Sequence, residues 1–131
     1  MTNIPFILDK GERVLMEAGN IHFVVGESHH DNSGRLILTN KQLAISQPRL
    51  FGKEKLFAVL PLDSLVSAEP HEIGLLAFKR RGMRLVYKGP LGEMQEIRVY
   101  PPSSRGIPNR EQVEKWVGEW VEGIQEAYKN R

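Results

Sequence analysis

The densest cluster of chemically competent side chains in this sequence is the run "KRRGMR", with Lys79, Arg80, Arg81 and Arg84, followed by Lys88 and then Arg98. Guanidinium and ammonium groups at this density suit phosphate or an anionic surface, where each adds about 1 kcal/mol of attraction. The same residues also serve as the solvated tip and face of a hairpin, where basic side chains discourage edge-to-edge pairing. A second group, His29-His30-Asp31, carries metal-ligating types. Adjacent residues of an extended segment point in opposite directions, however, and a metal needs three or four converging ligands, so this stretch reads as a solvated loop. There is no Gly-rich loop ending in Lys-Ser/Thr, no Gly-x-Ser-x-Gly elbow and no His-Glu-x-x-His. The loop "GPLG", Gly89 to Gly92, reads as a turn between strands. These patterns point to a binding module without catalytic residues, metal or cofactor. The alternative is a small enzyme whose active site the sequence does not display.

Charge is unevenly spread. Residues 1–70 hold seven Lys/Arg against eight Asp/Glu, residues 71–106 seven against three, and residues 107–131 four against five, for a net charge of +2. That excess could attract an anionic partner but falls short of the basic stripe of a nucleic-acid binder. With no cysteine, disulfides and thiolate metal sites are excluded. The N-terminus "MTNIPFILDK" lacks the basic and apolar regions of a signal peptide, and no apolar run is long enough to span a bilayer. A cytoplasmic protein is expected, in contact with the membrane periphery at most.

The elements that would position these groups are mostly strands. In "GRLILTNKQLAIS" (Gly34 to Ser46), a two-residue loop at Asn40-Lys41 sets Leu38 opposite Leu43 and Leu36 opposite Ile45, placing all four on one face. Asn40 suits the left-handed conformation that tight hairpin turns favour. Ile21, Phe23 and Val25 form the preceding strand, joined by the polar loop "GESHHDNSG". Downstream come "EKLFAVLPL" and "SLVSAEP", separated at Pro61, then "GLLAFKR", "MRLVYK" and "MQEIRVY". A two-residue loop at Arg81-Gly82 would set Phe78 opposite Leu85, Leu76 opposite Tyr87 and Lys79 opposite Arg84. A three-residue loop over Arg80-Arg81-Gly82 would shift each partner by one.

After Pro101-Pro102 the period changes. Asn109 can cap a helix with Gln112 reaching back. Val113, Trp116, Val117, Trp120, Val121 and Ile124 then form one apolar stripe, with Glu114, Lys115, Glu119 and Glu122 on the other side. About seven strands followed by one amphipathic helix predict a mainly β, antiparallel fold. Curling the sheet into a barrel and covering one open end with the helix would hide both its apolar face and its edges. Trp116 and Trp120 would be the plug, while the helix end near Ala127 and Tyr128 is free to meet a partner chain.

The segments "GERVL", "GRLILTNKQLAIS" and "LPLDSLVSAEP", with the tryptophan-bearing terminal helix, resemble the GRAM branch of the pleckstrin-homology-like superfold. The resemblance runs over roughly Gly11 to Tyr128. It divides the chain into an N-terminal extension (1–10), a domain (11–128) and a tail (129–131). It implies a non-catalytic adaptor that binds membrane lipids, often phosphoinositides, or protein partners. Separately, the open strand edges of a small barrel and the helix end make a second copy of the chain an expected partner. In pleckstrin-homology domains proper, basic residues of the first strand–loop–strand unit grip the phosphate. Here "VGESHHDNSG" offers Glu27, His29, His30 and Asp31, with no Lys or Arg before Arg35, so no family ligand residue carries over.

Overall fold

The computed structural model describes residues 4–28, 30–48, 52–74, 80–102 and 109–131. Seven strands precede one helix: β1 (Val14–Val25), β2 (Asn32–Thr39), β3 (Gln42–Gln47), β4 (Lys55–Pro61), β5 (Leu65–Ile73), β6 (Arg80–Lys88), β7 (Met94–Tyr100) and α1 (Arg110–Lys129). A 3-10 turn, Leu62–Ser64, links β4 to β5. All pairings are antiparallel, in the order β4-β3-β2-β1-β7-β6-β5. The long first strand belongs to both halves of the sheet. It pairs with β2 from Val14 to Phe23, and His22 to Val25 also pair with Tyr100 to Ile97 of β7. Between Ala18 and Ile21 the register slips, and Asn20 takes a positive φ of 55°. Bulges of this kind bend a strand, and here the bend lets one strand serve two sheet halves. The turn-like pair Gly19-Asn20 is also why the sequence pattern shows only the second half of β1.

The β2–β3 hairpin has the expected register, Leu38 opposite Leu43 and Leu36 opposite Ile45. The role expected of Asn40 is corrected, because its φ is not positive. Its side chain acts as a clamp: Oδ1 accepts the Arg13 N–H at 2.7 Å, and Nδ2 donates to the Gly11 carbonyl at 3.0 Å. The turn itself is shaped by Thr39, whose Oγ1 accepts the N–H groups of Lys41 (3.1 Å) and Gln42 (3.0 Å). Thus "GERVL" and "LTNKQL" are one hydrogen-bonded unit.

Glu12 is the centre of that unit. Its carboxylate is buried and accepts from Thr39 Oγ1 (2.6 Å), the Asp9 N–H (2.9 Å) and Gln42 Nε2 (3.0 Å). Burial pushes its pKa up, but the bonds from Thr39, Asp9 and Gln42 and the charge of Lys41 outweigh burial, so the folded-state pKa lies below the ordinary value. A depressed carboxylate pKa adds stability above the unfolded-state value, near 4.3 for Glu. That contribution is lost as pH falls through the folded-state value. Glu12→Gln is expected to cost about 1–3 kcal/mol at neutral pH, the usual range for a charged hydrogen-bonded group. It should also flatten the loss of stability below about pH 4. Urea midpoints across pH check this; parallel acid limbs for the two proteins would show that Glu12 is not the coupled group.

The curled sheet closes over one core: Ile21, Phe23, Leu36, Leu38, Leu43, Ile45, Met83, Leu85, Ile97 and Val99 from the strands, with Val117, Trp120, Val121, Ile124 and Ala127 from the helix. Among the described residues β4 and β5 are the two outermost strands of the sheet. The helix packs on β5, β6 and the 3-10 turn that joins these edges. Asn109 caps it by accepting the Glu111 N–H at 2.9 Å, and Arg131 beyond its end ties back to Asp63 at 2.6 Å. Trp116 only packs against the core from its margin, its ring 5.8 Å from that of Trp120.

The expected hairpin at Arg81-Gly82 is overturned. Arg80, Arg81 and Gly82 lie inside β6, opposite Ile73, Glu72 and His71 of β5. Leu85 pairs with Ala68, Arg84 with Glu69 and Tyr87 with Leu65. The chain leaves β5 at Gly74, whose φ of 102° favours glycine. Residues 75–79 of the expected strand, including Leu76, Phe78 and Lys79, lie outside the described residues. Gly82 is there for space: a Cβ would lie 2.2 Å from the Val99 carbonyl oxygen and 2.7 Å from the Tyr100 ring.

Candidate functional site

Of the five cations singled out in the sequence, Lys79 lies outside the described residues. Each of the three arginines meets a carboxylate in the structure. Arg80 lies 3.8 Å above the Tyr100 ring and pairs with Asp31 of the β1–β2 loop at 2.9 Å. Arg81 is largely covered, bonded through Nε to Glu72 and through Nη1 to Glu114 of the helix at 2.7 Å. It therefore pins α1 to the β5–β6 pair. Arg84 bridges Glu96 on β7 (2.7 Å) and Glu69 on β5 (3.3 Å). The hydrogen bond and charge of Glu96, with Glu69 behind it, raise the Arg84 pKa. Of the four described cations only Lys88 is exposed, at the close of β6 opposite Met94.

Two of the five counter-ions, Glu72 and Glu96, belong to the basic segment itself; the other three were hidden from the sequence because they are distant along the chain. Asp31, Glu69 and Glu114 all come from outside the segment with the basic excess, delivered by strand pairing and helix docking. Electrostatic attraction decays within roughly 10 Å at moderate salt, so carboxylates at contact distance outweigh any tally along the sequence.

Beneath Arg80 the outer face of β5, β6 and β7 holds a polar cluster. Tyr100 is buried, and its hydroxyl, Arg98 Nε and His71 Nε2 lie out of contact with solvent, Arg98 Nε and His71 Nε2 without a hydrogen-bond partner among the described residues. Arg98 reaches over the β1–β2 loop instead, with Nη2 3.4 Å from the Gly26 carbonyl and 3.5 Å from that of Ser28. Burial raises the Tyr100 pKa against the opposing charges of Arg98 and Arg80. Burial first, then the Arg98 charge, lowers that of His71 and favours the neutral imidazole. His30 lies exposed on the loop, and His29 lies outside the described residues. Among the described residues no cluster of three or more His, Asp or Glu could hold a metal ion, and no helix is long and apolar enough to cross a membrane.

The connections β1–β2, β3–β4 and β6–β7 leave the sheet at one end. Val25 pairs with Ile97, and Gly26 donates to the Glu96 carbonyl at 2.8 Å, which places the β1–β2 loop beside the start of β7. On the other side, Arg35 pairs with Ser46 and Gln47 with Lys55, so β3 turns into β4 at the same end. The "GPLG" segment is a tight turn, as expected. Gly89 donates to the Glu93 carbonyl at 2.8 Å, and the Glu93 carboxylate accepts the Leu91 N–H at 2.9 Å and Gln95 Nε2 at 2.8 Å. Gly92 takes a φ of 81°, the left-handed position that glycine fills without strain. This internal bonding holds Leu91 outward at 94% exposure, with Met94 beside it at 61%. Neither residue stands out in the sequence, because a lone Leu in a turn carries no periodic signal.

No family model and no curated protein matches the sequence. Solved structures do. The chain superposes on the Vps36 N-terminal PH domain with a TM-score of 0.61 at 17% identity, covering 95% of this chain and 84% of that one. The hSac2 domain from the human phosphoinositide phosphatase Sac2 gives a TM-score of 0.62 at 17% identity, covering 92% and 74%. The DH/PH domains of PDZ-RhoGEF, solved in complex with activated RhoA, give 0.60 at 16% identity over 92% of this chain and 30% of that longer one. Together with the seven-stranded antiparallel sheet and its terminal helix, these likenesses define a pleckstrin-homology-like fold.

Proposed function

We propose that the protein is a non-catalytic binding module, of the GRAM-like kind its hairpin motifs suggest, that attaches peripherally to an anionic membrane surface on the cytoplasmic side. The observation that carries this reading is the β6–β7 turn, which projects Leu91 and Met94 into solvent beside Lys88 at the loop end of the sheet. Apolar side chains flanked by a lysine match the interface between headgroups and acyl chains. Of the five cations in the sequence cluster, Lys88 is the headgroup contact in this reading, while Arg80, Arg81 and Arg84 are paired with carboxylates of the protein itself. One structural neighbour is a domain of a phosphoinositide phosphatase, in keeping with a lipid surface. The second reading, a protein partner or a second copy of the chain, draws on the outermost strand β4, where Val59 stands exposed.

Vesicles of phosphatidylcholine with added phosphatidylserine test the proposal by sedimentation. Leu91→Asp should weaken binding about tenfold or more, because burying a leucine side chain is worth about 1.5–3 kcal/mol. Lys88→Glu should weaken it several-fold at low salt and less at high salt, in line with about 1 kcal/mol per basic residue and with screening. No sedimentation of the wild type at low salt, or equal binding by Leu91→Asp, removes the membrane reading and leaves the protein partner.

A further inference from the structure

A second surface lies at the other end of β2, away from the three loops. The last turns of α1 pass over the first half of β1 and leave a groove of about 530 Å³. Its apolar lining is Leu15, Met16 and Leu38 from the strands and Ala127 from the helix, with Asn40 and Asn130 beside them. Leu38 and Ala127 are buried, so Leu15 is the apolar side chain most open to an incoming group. Leu15 sits at a register slip of β1, between Val14 and Met16, and stays 40% exposed. Met16 fits under the helix because position 123 is glycine; a Cβ there would lie 2.3 Å from the Met16 sulfur. One wall is acidic. Glu119, Glu122 and Glu126 line the groove, opposed among the described residues by the guanidinium of Arg13. Lys115 approaches Glu119 only at 4.0 Å, and the carboxylates of Glu122 and Glu126 have no basic partner among the described residues.

We infer that this groove docks a basic amphipathic segment of a partner polypeptide, an apolar side chain entering over Leu15 and its Lys or Arg neighbours meeting Glu119, Glu122 and Glu126. Charge complementarity selects the occupant. The three carboxylates are spaced by three and four residues, so they line one side of the helix over about two turns. A neutral or acidic segment would leave them unpaired beside the Leu15 side chain it covers. A lipid headgroup of negative charge is repelled for the same reason. The site is independent of the loop end, so the protein can hold a membrane and a partner at once.

The test uses the full chain and a displayed library of random dodecapeptides. Selected peptides should combine at least two Lys or Arg with Leu, Ile or Phe. The strongest of them, synthesised and labelled, should lose about tenfold or more in affinity on Glu122→Lys with Glu126→Lys, an effect typical of removing close charge pairs. Both positions are exposed on the helix and lysine is a good helix former, so this variant should stay folded, as its melting curve will report. Glu27→Lys with Glu111→Lys, the same change in net charge on exposed sites elsewhere, should leave affinity within about twofold, as expected of charges outside the contact. Backbone amide shifts induced by the peptide should fall on residues 13–16 and 119–130. An unenriched library, enriched peptides without basic residues, equal losses in the two double variants, or shifts confined to other strands would each overturn the inference.

Discussion

Trp120→Ala should lower stability by about 3–5 kcal/mol, the usual cost of deleting a large buried aromatic side chain. Trp120 is 3% exposed and sits in the core cluster between the helix and the curled sheet. Its removal leaves a cavity bordered by strands that are hydrogen-bonded to one another, so the walls can close in only partly. Domains of this kind are stable by about 5–15 kcal/mol in total, so the variant should melt far below the wild type or fail to fold. Trp116→Ala should cost clearly less, because that ring lies half outside the core and loses mainly its contact with Trp120. Urea unfolding of both variants, followed by circular dichroism, decides the matter. Equal losses at the two positions would mean that both rings plug the core, as the apolar stripe alone suggests.

Gly82→Val should be as damaging for the opposite reason. The new Cβ would lie 2.2 Å from the carbonyl oxygen of Val99, far inside contact distance. Overpacking typically costs about 1–3 kcal/mol when side chains can move aside. Here the obstacle is backbone, and relief requires β6 and β7 to part where Met83 pairs with Val99. The expected loss is therefore at or above about 3 kcal/mol, accompanied by displacement of the Tyr100 ring that supports Arg80. Gly118→Ala provides the contrast. Nothing lies within 4 Å of a Cβ at that helix position, so the substitution should stabilise by about 0.5–1 kcal/mol through helix propensity. Thermal melts of the two variants should move in opposite directions. A tolerated valine at position 82 would mean that this glycine sits at a hairpin tip and that the β5–β6 register is different.

The local order of this protein was determined by its sequence where short-range geometry is decisive. Alternation of Leu36, Leu38, Leu43 and Ile45 leaves only one register that buries all four, since a slip by one residue turns every side chain to the other face. The three-and-four spacing from Val113 to Ile124 likewise admits only a helix, with Asn109 at its start. Pro61 ends a strand because it cannot donate to the next ladder. Each of these follows from neighbours within a few residues.

The course of the chain between Leu65 and Lys88 was decided by tertiary structure. The pair Arg81-Gly82 reads as a turn because glycine is a turn residue, yet the same residue serves where two strands and an aromatic ring approach too closely for a side chain. Which role applies depends on Tyr100, eighteen positions away and on another strand. The cationic cluster is a parallel case. Its sign was legible, but its availability depended on Asp31, Glu69 and Glu114, which only the β1–β2 loop, the β5 edge and the docked helix bring within contact of Arg80, Arg84 and Arg81. Exposure is the third. Leu91, Met94 and Leu15 are ordinary apolar residues in the sequence, and only the packed molecule shows which apolar groups its core leaves outside, since burial belongs to the assembled surface and not to the residue.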